Sequence, residues 1–171
     1  NLTQKELAFI NTDYTSKNIK KSSLNNSFKR DEFAYFLSKL THTQHPAKEI
    51  SNIEDLPYKK EIQEVVDAEI LSLDTNNSFN SSSKITLPSF LAGIIRALNY
   101  TDISEESELL ATYKDKWYYS ALTIALNKEI ITKNDLKRLN SRFKNKDFIK
   151  YASRIPEISQ EINAELKFTP I

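Results

Sequence analysis

The feature that most constrains this chain is a short string that recurs at a nearly constant interval. Residues 28–33, 85–90 and 143–148 each begin with a large apolar residue and end with phenylalanine. The starts of these strings, at positions 28, 85 and 143, are 57 and 58 residues apart. Each string leads into apolar residues at helical spacing, and these runs end at Leu40, Leu98 and Ile155. A fixed interval of this kind is typical of tandem structural repeats.

A second matched feature lies upstream of two of these strings. Residues 62–71 and 121–131 are both amphipathic with helical periodicity, and both precede a string in the same order. Apolar spacing predicts helices at 30–40, 58–71, 88–98, 117–129 and 145–155, with shorter ones at 102–105 and 159–166 and an upstream helix within 3–11. The sequence therefore predicts an all-α fold. The alternative is that unrelated helices fall at similar spacings by coincidence.

The composition excludes several classes of function. The chain holds a single glycine, so glycine-rich phosphate loops are excluded, and Asn and Asp must occupy left-handed turns such as 74–77. It has no cysteine, which excludes disulfides and thiolate zinc sites. A net charge of +1 gives no overall attraction to nucleic acid, and no apolar run approaches the roughly 20 residues of a membrane span.

No group of residues forms a convincing catalytic or metal centre. His42 and His45 are the only histidines, and the neighbouring Pro46 favours a loop over a helical metal site. The acidic groups at 61–67 and 105–108 are typical of solvated helix faces rather than of a glycosidase carboxylate pair. The sequence predicts a protein that is not an enzyme and has no cofactor and no metal.

Several strings resemble the S-layer homology family. They are the Asp-Lys-Trp-Tyr-Tyr-Ser-Ala run at 115–121, the Glu-Ile-Ile-Thr turn at 129–132, and the helix starts Ile85-Thr86 and 28–33. The resemblance covers residues 1–156. It implies a single module, 1–171, with repeats at about 1–42, 43–100 and 101–156, a tail at 157–171, and a pseudo-three-fold arrangement of the repeats around a central helical bundle.

The chain departs from that family's pattern at two kinds of position. The family's turn glycine is replaced by Glu69 and Glu129, so the turn must avoid positive φ or tolerate strain. The family's helix-start arginine is retained only as Arg30, while Leu87 and Asn145 hold the equivalent positions. The capping acid of the same motif is retained as Glu32 in the first repeat and as aspartate in the third.

The resemblance implies a binding function. Family members attach exported proteins to the bacterial wall by binding an anionic, typically pyruvylated, polysaccharide, and their helix-start arginine pairs with its carboxylate. On this basis Arg30, Lys29, Glu32 and Asn145 are candidate ligand-binding residues, although Arg30 could equally be a solvated arginine. Trp117 and Tyr118 are candidates for stacking on a sugar; the alternative is that they fill the core.

The predicted function is therefore a cell-wall anchoring module at the bacterial surface. Its expected partner is an anionic wall polysaccharide or a peptidoglycan-linked polymer, with other surface-layer subunits as a further candidate and no role for nucleic acid or a membrane span. Export fits a chain that starts at Asn1 without methionine, as a processed protein or excised domain would. The alternatives are a degenerate scaffold for protein–protein assembly, favoured by the lost arginines, and an unrelated helical bundle.

Overall fold

The structure, a computed structural model, describes residues 1–42, 44–101 and 106–168. Across these residues the chain is helical, and its only β-type pairing is two isolated bridges. The helices are α1 (Gln4–Ile10), α2 (Arg30–Ser38), α3 (Lys59–Asp67), α4 (Leu87–Ala97), α5 (Tyr119–Asn127), α6 (Asn145–Ala152) and α7 (Pro156–Phe168). The predicted all-α class is confirmed. The short helix predicted at 102–105 lies outside the described residues.

Side-chain caps or a first-turn proline mark the starts of α1, α4 and α6. Thr3 and Glu6 form a reciprocal capping box at α1, with Glu6 N donating to Thr3 Oγ1 and Thr3 N donating to Glu6 Oε1. At α6 the Lys144 N–H donates to the Asp147 carboxylate at 2.8 Å. Pro88 occupies the first turn of α4, where its missing N–H costs nothing. These starts are therefore encoded within a few residues of sequence.

Three helices end in the same left-handed turn although none has glycine there. After α3, α4 and α5 the turn residues are Glu69, Asn99 and Glu129, with φ of 60°, 53° and 61°. In each case the next N–H bonds back to a carbonyl five residues earlier, as Ile130 N does to Ala125 O at 2.9 Å. The two glutamates thus tolerate positive φ rather than avoid it. Asparagine takes left-handed positions as predicted, but no described aspartate does, and Tyr58 also has positive φ.

The centre of the fold is a cluster of phenylalanine rings from α2, α4 and α6. Phe33, Phe90 and Phe148 hold the same position in the three recurring strings, and each is at most 1% exposed. Ring centroids of Phe33 and Phe90 are 5.4 Å apart, and those of Phe90 and Phe148 are 6.0 Å apart. Phe28 stacks on Phe148 at 4.2 Å. The recurring strings therefore meet in one shared core.

Two backbone hydrogen bonds beside this cluster join equivalent positions of the recurring strings and of the residues that precede them. Arg30 N donates to Ser83 O, and Asn145 N donates to Asn26 O, both at 2.9 Å. The two donors are equivalent in their strings, and the acceptors at 26 and 83 are 57 residues apart. The sequence repeat is thus matched by a repeat of hydrogen bonds at two interfaces. A three-fold arrangement of all the units stays a prediction.

The segment predicted as a C-terminal tail is mostly the helix α7. Ile158 and Ile162 are buried in the common core, and Lys5 of α1 donates to Ser159 of α7. The Tyr14 hydroxyl also donates to Glu161 at 2.9 Å. Helix α7 therefore packs against α1 and the common core. No helix in the described ranges is long and apolar enough to cross a bilayer.

Replacing Glu129 by glycine should stabilise the protein, because glycine adopts positive φ without crowding its Cβ against the carbonyl. We expect the free energy of unfolding to rise by about 1 kcal/mol, measured by urea denaturation. The control is Glu129→Ala, which removes the charge but keeps the Cβ. An equal gain in that variant would show that charge, not backbone strain, was relieved.

Replacing Gly93 by alanine should destabilise the core, although alanine is the better helix former. A Cβ at Gly93 would lie 2.5 Å from Cζ of the buried Phe33 ring, which is held between neighbouring rings. We expect a loss of about 1–3 kcal/mol in unfolding free energy. The loss should shrink when it is measured in a Phe33→Leu background. A stabilised Gly93→Ala protein would contradict this close packing.

Candidate functional site

A cavity of about 270 Å³ lies beside the start of α4 and is the most distinctive candidate site. Its lining carries three cations, Arg30, Lys84 and Arg96, and no carboxylate. The lining residues are Arg30, Phe33, Leu71, Ser72, Lys84, Ile85, Thr86, Ser89, Ala92, Arg96 and Trp117. We call it the Arg30–Trp117 cavity. Two of the predicted ligand-binding residues, Arg30 and Trp117, are thus brought together.

Arg30 is anchored by backbone carbonyls. Its Nε donates to Phe79 O at 3.0 Å and its Nη2 donates to Ser72 O at 2.9 Å. Its guanidinium also lies 4.5 Å from the centre of the Phe79 ring. Burial lowers the pKa of Arg30, yet a guanidinium stays protonated at neutral pH. Arg30 is therefore not the freely solvated arginine of the alternative, and its three other N–H groups make no hydrogen bond to a described residue.

Arg96 is a second cavity cation that the sequence analysis missed. Its Nε donates to Ile70 O, in the turn after α3, at 2.7 Å. Arg154, 58 residues later, makes the matching contact from Nη1 to Ile130 O at 3.3 Å. Each arginine lies 11 residues after the start of its string, at 85 and 143. That spacing was the signal that could have revealed both residues.

The start of α4 adds polar groups to the same cavity. Ser89 N donates to Thr86 Oγ1, and both hydroxyl side chains line the cavity. Pro88 has no N–H and the Ser89 N–H is capped, so this 11-residue helix contributes mainly its dipole, which favours negative charge near its start. Lys84 is exposed beside it and forms no ion pair with any described residue. The cavity is therefore suited to an anion.

Trp117 and Tyr118 have different surroundings. Trp117 is 69% exposed and lines the cavity, so the alternative that it fills the core is excluded. Tyr118 is partly buried, packs on the core and meets the Trp117 ring edge-on at 5.3 Å. A tryptophan this exposed offers a flat apolar face to a ligand. Tyr118 supports Trp117 and is absent from the lining.

Glu32 does not cap its own helix, which corrects the role expected for it. Its carboxylate accepts from Ser16 Oγ at 2.6 Å, Tyr58 OH at 3.0 Å and Asn18 Nδ2 at 3.3 Å. The backbone N–H of Glu32 itself donates to the side chain of Asp31. Because Ser16 lies in the predicted first repeat and Tyr58 in the predicted second repeat, Glu32 links segments of both. A carboxylate with three donors has little capacity left for a ligand.

Lys29 and Asn145 lie at a second cavity, of about 460 Å³, together with Asp31, Lys84 and Arg142. We call it the Lys29–Arg142 cavity. Asn145 is buried, and its Nδ2 donates to Ser23 O at 2.8 Å. Asn145 thus ties α6 to a loop of the first repeat, much as Arg30 ties α2 to a loop of the second. The structure does not bring Asn145 to the Arg30–Trp117 cavity.

Two cations of the basic cluster at 133–150, Arg138 and Lys150, form ion pairs with the buried carboxylates of Asp147 and Asp135. Asp135 is buried and accepts from Lys150 Nζ, Arg154 Nη1 and Tyr151 OH at 3.0–3.1 Å. Burial alone would raise the pKa of Asp135, but hydrogen bonds from Thr132, Lys150 and Arg154 lower it to about 2. This ionic network was not foreseen from the sequence. It favours a structural role for these cations over an exposed polyanion-binding face.

His42 and His45 lie in the loop after α2, as the sequence predicted. The described side chains include no group of three or more His, Asp or Glu residues arranged to hold a metal ion. No ligand chemistry is therefore assigned to the two histidines.

Comparisons with models of known protein families, with curated proteins and with solved structures find no match. The resemblance to the S-layer homology family therefore stays a prediction that rests on the quoted strings.

Replacing Asp135 by asparagine should cost about 2 kcal/mol of unfolding free energy at pH 7, because the charge that holds Lys150 and Arg154 is lost. The folded-state pKa lies below the ordinary value of 3.8. The stabilisation is therefore complete above about pH 4 and is lost as the pH falls towards about 2.

Urea unfolding at pH 7 and at pH 2 tests this prediction. The wild-type and Asp135→Asn proteins should differ at pH 7 and converge at pH 2. Asp115→Asn, which neutralises an exposed acid, is the matched control and should stay close to wild type. An undiminished difference at pH 2 would mean that the side-chain amide disturbs packing rather than removing a charge.

Proposed function

We propose that this protein is a non-catalytic anchoring module that binds an anionic, carboxylated polysaccharide of the bacterial cell wall. The observation that carries the proposal is the Arg30–Trp117 cavity, where three cations and no carboxylate lie beside an exposed tryptophan. The pyruvylated wall polysaccharides implied by the family resemblance have the matching chemistry. They combine a carboxylate with a sugar ring.

Each part of the cavity fits one part of such a ligand. The free N–H groups of Arg30 and Arg96 suit a carboxylate, because a guanidinium forms charge-assisted and often bidentate hydrogen bonds. The Trp117 ring suits the apolar face of a sugar. The hydroxyls of Thr86 and Ser89 suit sugar hydroxyls, because each can donate and accept.

The same lining favours binding over turnover. It contains no histidine and no carboxylate, which are the side chains that most often transfer protons in catalysis. Its arginines are held by the carbonyls of Phe79, Ser72 and Ile70 and so are positioned before a ligand arrives. A rigid, cationic and aromatic cavity of this kind supports an exported module that holds a larger protein at the cell surface.

A second candidate function is a scaffold for protein–protein assembly. The observation that favours it is that the equivalent positions Arg30 and Asn145 both tie a helix start to a neighbouring loop. These positions serve packing, which an assembly domain also needs. In that case the wall polymer would be dispensable for attachment, and the two functions make opposite predictions.

The sharpest variants are Lys84→Gln and Trp117→Ala, because both side chains are exposed. Arg30→Ala is less informative, since it also releases the loop that holds Ser72 and Phe79. We expect each of these two variants to weaken binding to purified bacterial walls about fivefold to tenfold. Lys84→Gln removes a charged contact, and Trp117→Ala removes stacking area. Co-sedimentation with walls measures the change.

The matched controls are Lys137→Gln and Leu109→Ala, which remove an exposed charge and an exposed apolar side chain outside the cavity. Both should bind like wild type. Walls stripped of their secondary polysaccharide should bind none of these proteins. Equal binding to stripped and intact walls would reject polysaccharide anchoring and favour the assembly function.

A further inference from the structure

The Lys29–Arg142 cavity collects cations from three parts of the chain. An isolated antiparallel bridge joins Lys29 to Lys84, and another joins Ser27 to Lys144. Arg142, just before the second bridge, donates from Nε to Ser27 Oγ at 2.9 Å. These contacts bring Lys29, Lys84 and Arg142 to one cavity although they lie up to 113 positions apart in sequence. All three side chains are exposed.

The carboxylates of this cavity only partly offset its cations. Glu32 is occupied by donors from Ser16, Asn18 and Tyr58. Asp31 Oδ1 accepts a hydrogen bond from the backbone N–H of Glu32 at 2.7 Å. Within the described ranges neither acid forms an ion pair with Lys29, Lys84 or Arg142. Asp31 and Glu32 both remain charged, so the three cations of the lining exceed its carboxylates by one.

One residue of the cavity lining also has a buried acceptor atom without a hydrogen-bond partner. The Oδ1 atom of buried Asn145 has no hydrogen-bond partner in the described structure, while its Nδ2 is held by Ser23 O. An unpaired buried acceptor is costly, and a hydroxyl donor would satisfy it. A cationic cavity with an unpaired acceptor fits a ligand that carries both an anionic group and hydroxyl groups.

The two cavities are neighbours, because Lys84 lines both. Lys29 and Arg30 are consecutive, and each lines a different one of the two. The bridge between Lys29 and Lys84 therefore runs between the cavities. Lys84 is therefore the residue that the two cavities share.

We propose that the Lys29–Arg142 cavity binds a second anionic unit of the same glycan chain, which reaches it from the Arg30–Trp117 cavity by passing over Lys84. This inference rests on the proposed function of the first cavity. It adds that the module recognises a stretch of polymer with at least two anionic units rather than a single sugar. The second cavity then contributes affinity only when the ligand is long enough to occupy both.

The test compares two probes prepared from the same pyruvylated wall polysaccharide: the polymer, and a fragment trimmed to one anionic sugar. Titration calorimetry gives the Kd of each. We expect Lys29→Gln and Arg142→Gln to weaken polymer binding about threefold to tenfold and to leave fragment binding unchanged. Trp117→Ala should weaken the binding of both probes.

Lys29 is exposed and forms no ion pair with a described residue, so its variant guards against a folding defect in Arg142→Gln. Lys137→Gln controls for the loss of one positive charge. If both cavity variants bind polymer like wild type while Trp117→Ala does not, the second subsite is rejected and the proposed function stands. If the wild-type protein binds neither probe, the proposed function itself is rejected.

Discussion

The rest of the structure depends on the contact between phenylalanine rings where α2, α4 and α6 begin. Phe33, Phe90 and Phe148 are contributed by segments more than 50 residues apart and are almost completely buried. Burial of aromatic rings is a large favourable term, and their edge-to-face and offset contacts also fix relative orientation. Once these rings meet, the strings that precede them must lie side by side. The bridges at Lys29 and Lys84, and at Ser27 and Lys144, follow from that placement.

A second set of stabilising contacts consists of hydrogen bonds from arginine side chains to backbone carbonyls elsewhere in the chain. Arg30, Arg96 and Arg154 each donate to carbonyls in a turn or loop distant in sequence. Such bonds satisfy carbonyl groups that a nearly glycine-free chain leaves at its helix ends and loops. The same bonds orient Arg30 and Arg96 in the cavity. The residues that hold the fold together therefore also shape the candidate binding site.

Ion pairing differs between the region around Asp135 and the two candidate cavities. Lys150 and Arg154 are ion-paired with Asp135, whereas the exposed Lys133, Lys137 and Lys146 of the same basic stretch form no ion pair with a described residue. Around Lys84, cations outnumber the carboxylates of the cavity linings. Local composition therefore does not show which cations are paired. What matters is which acids each cation meets after folding.

The sequence by itself determined the helices and the repeat. Apolar spacing and caps are local, so α1 to α7 lie where periodicity predicted them, and the interval between strings reappears as an interval between hydrogen bonds. The sequence also singled out Arg30 and Trp117. It did not reveal that they share a cavity with Arg96, that Glu32 joins two repeats, or that Asn145 lies elsewhere. Only the tertiary structure decided these points, because each depends on which distant loop packs against a helix start, and helical periodicity carries no information about that pairing.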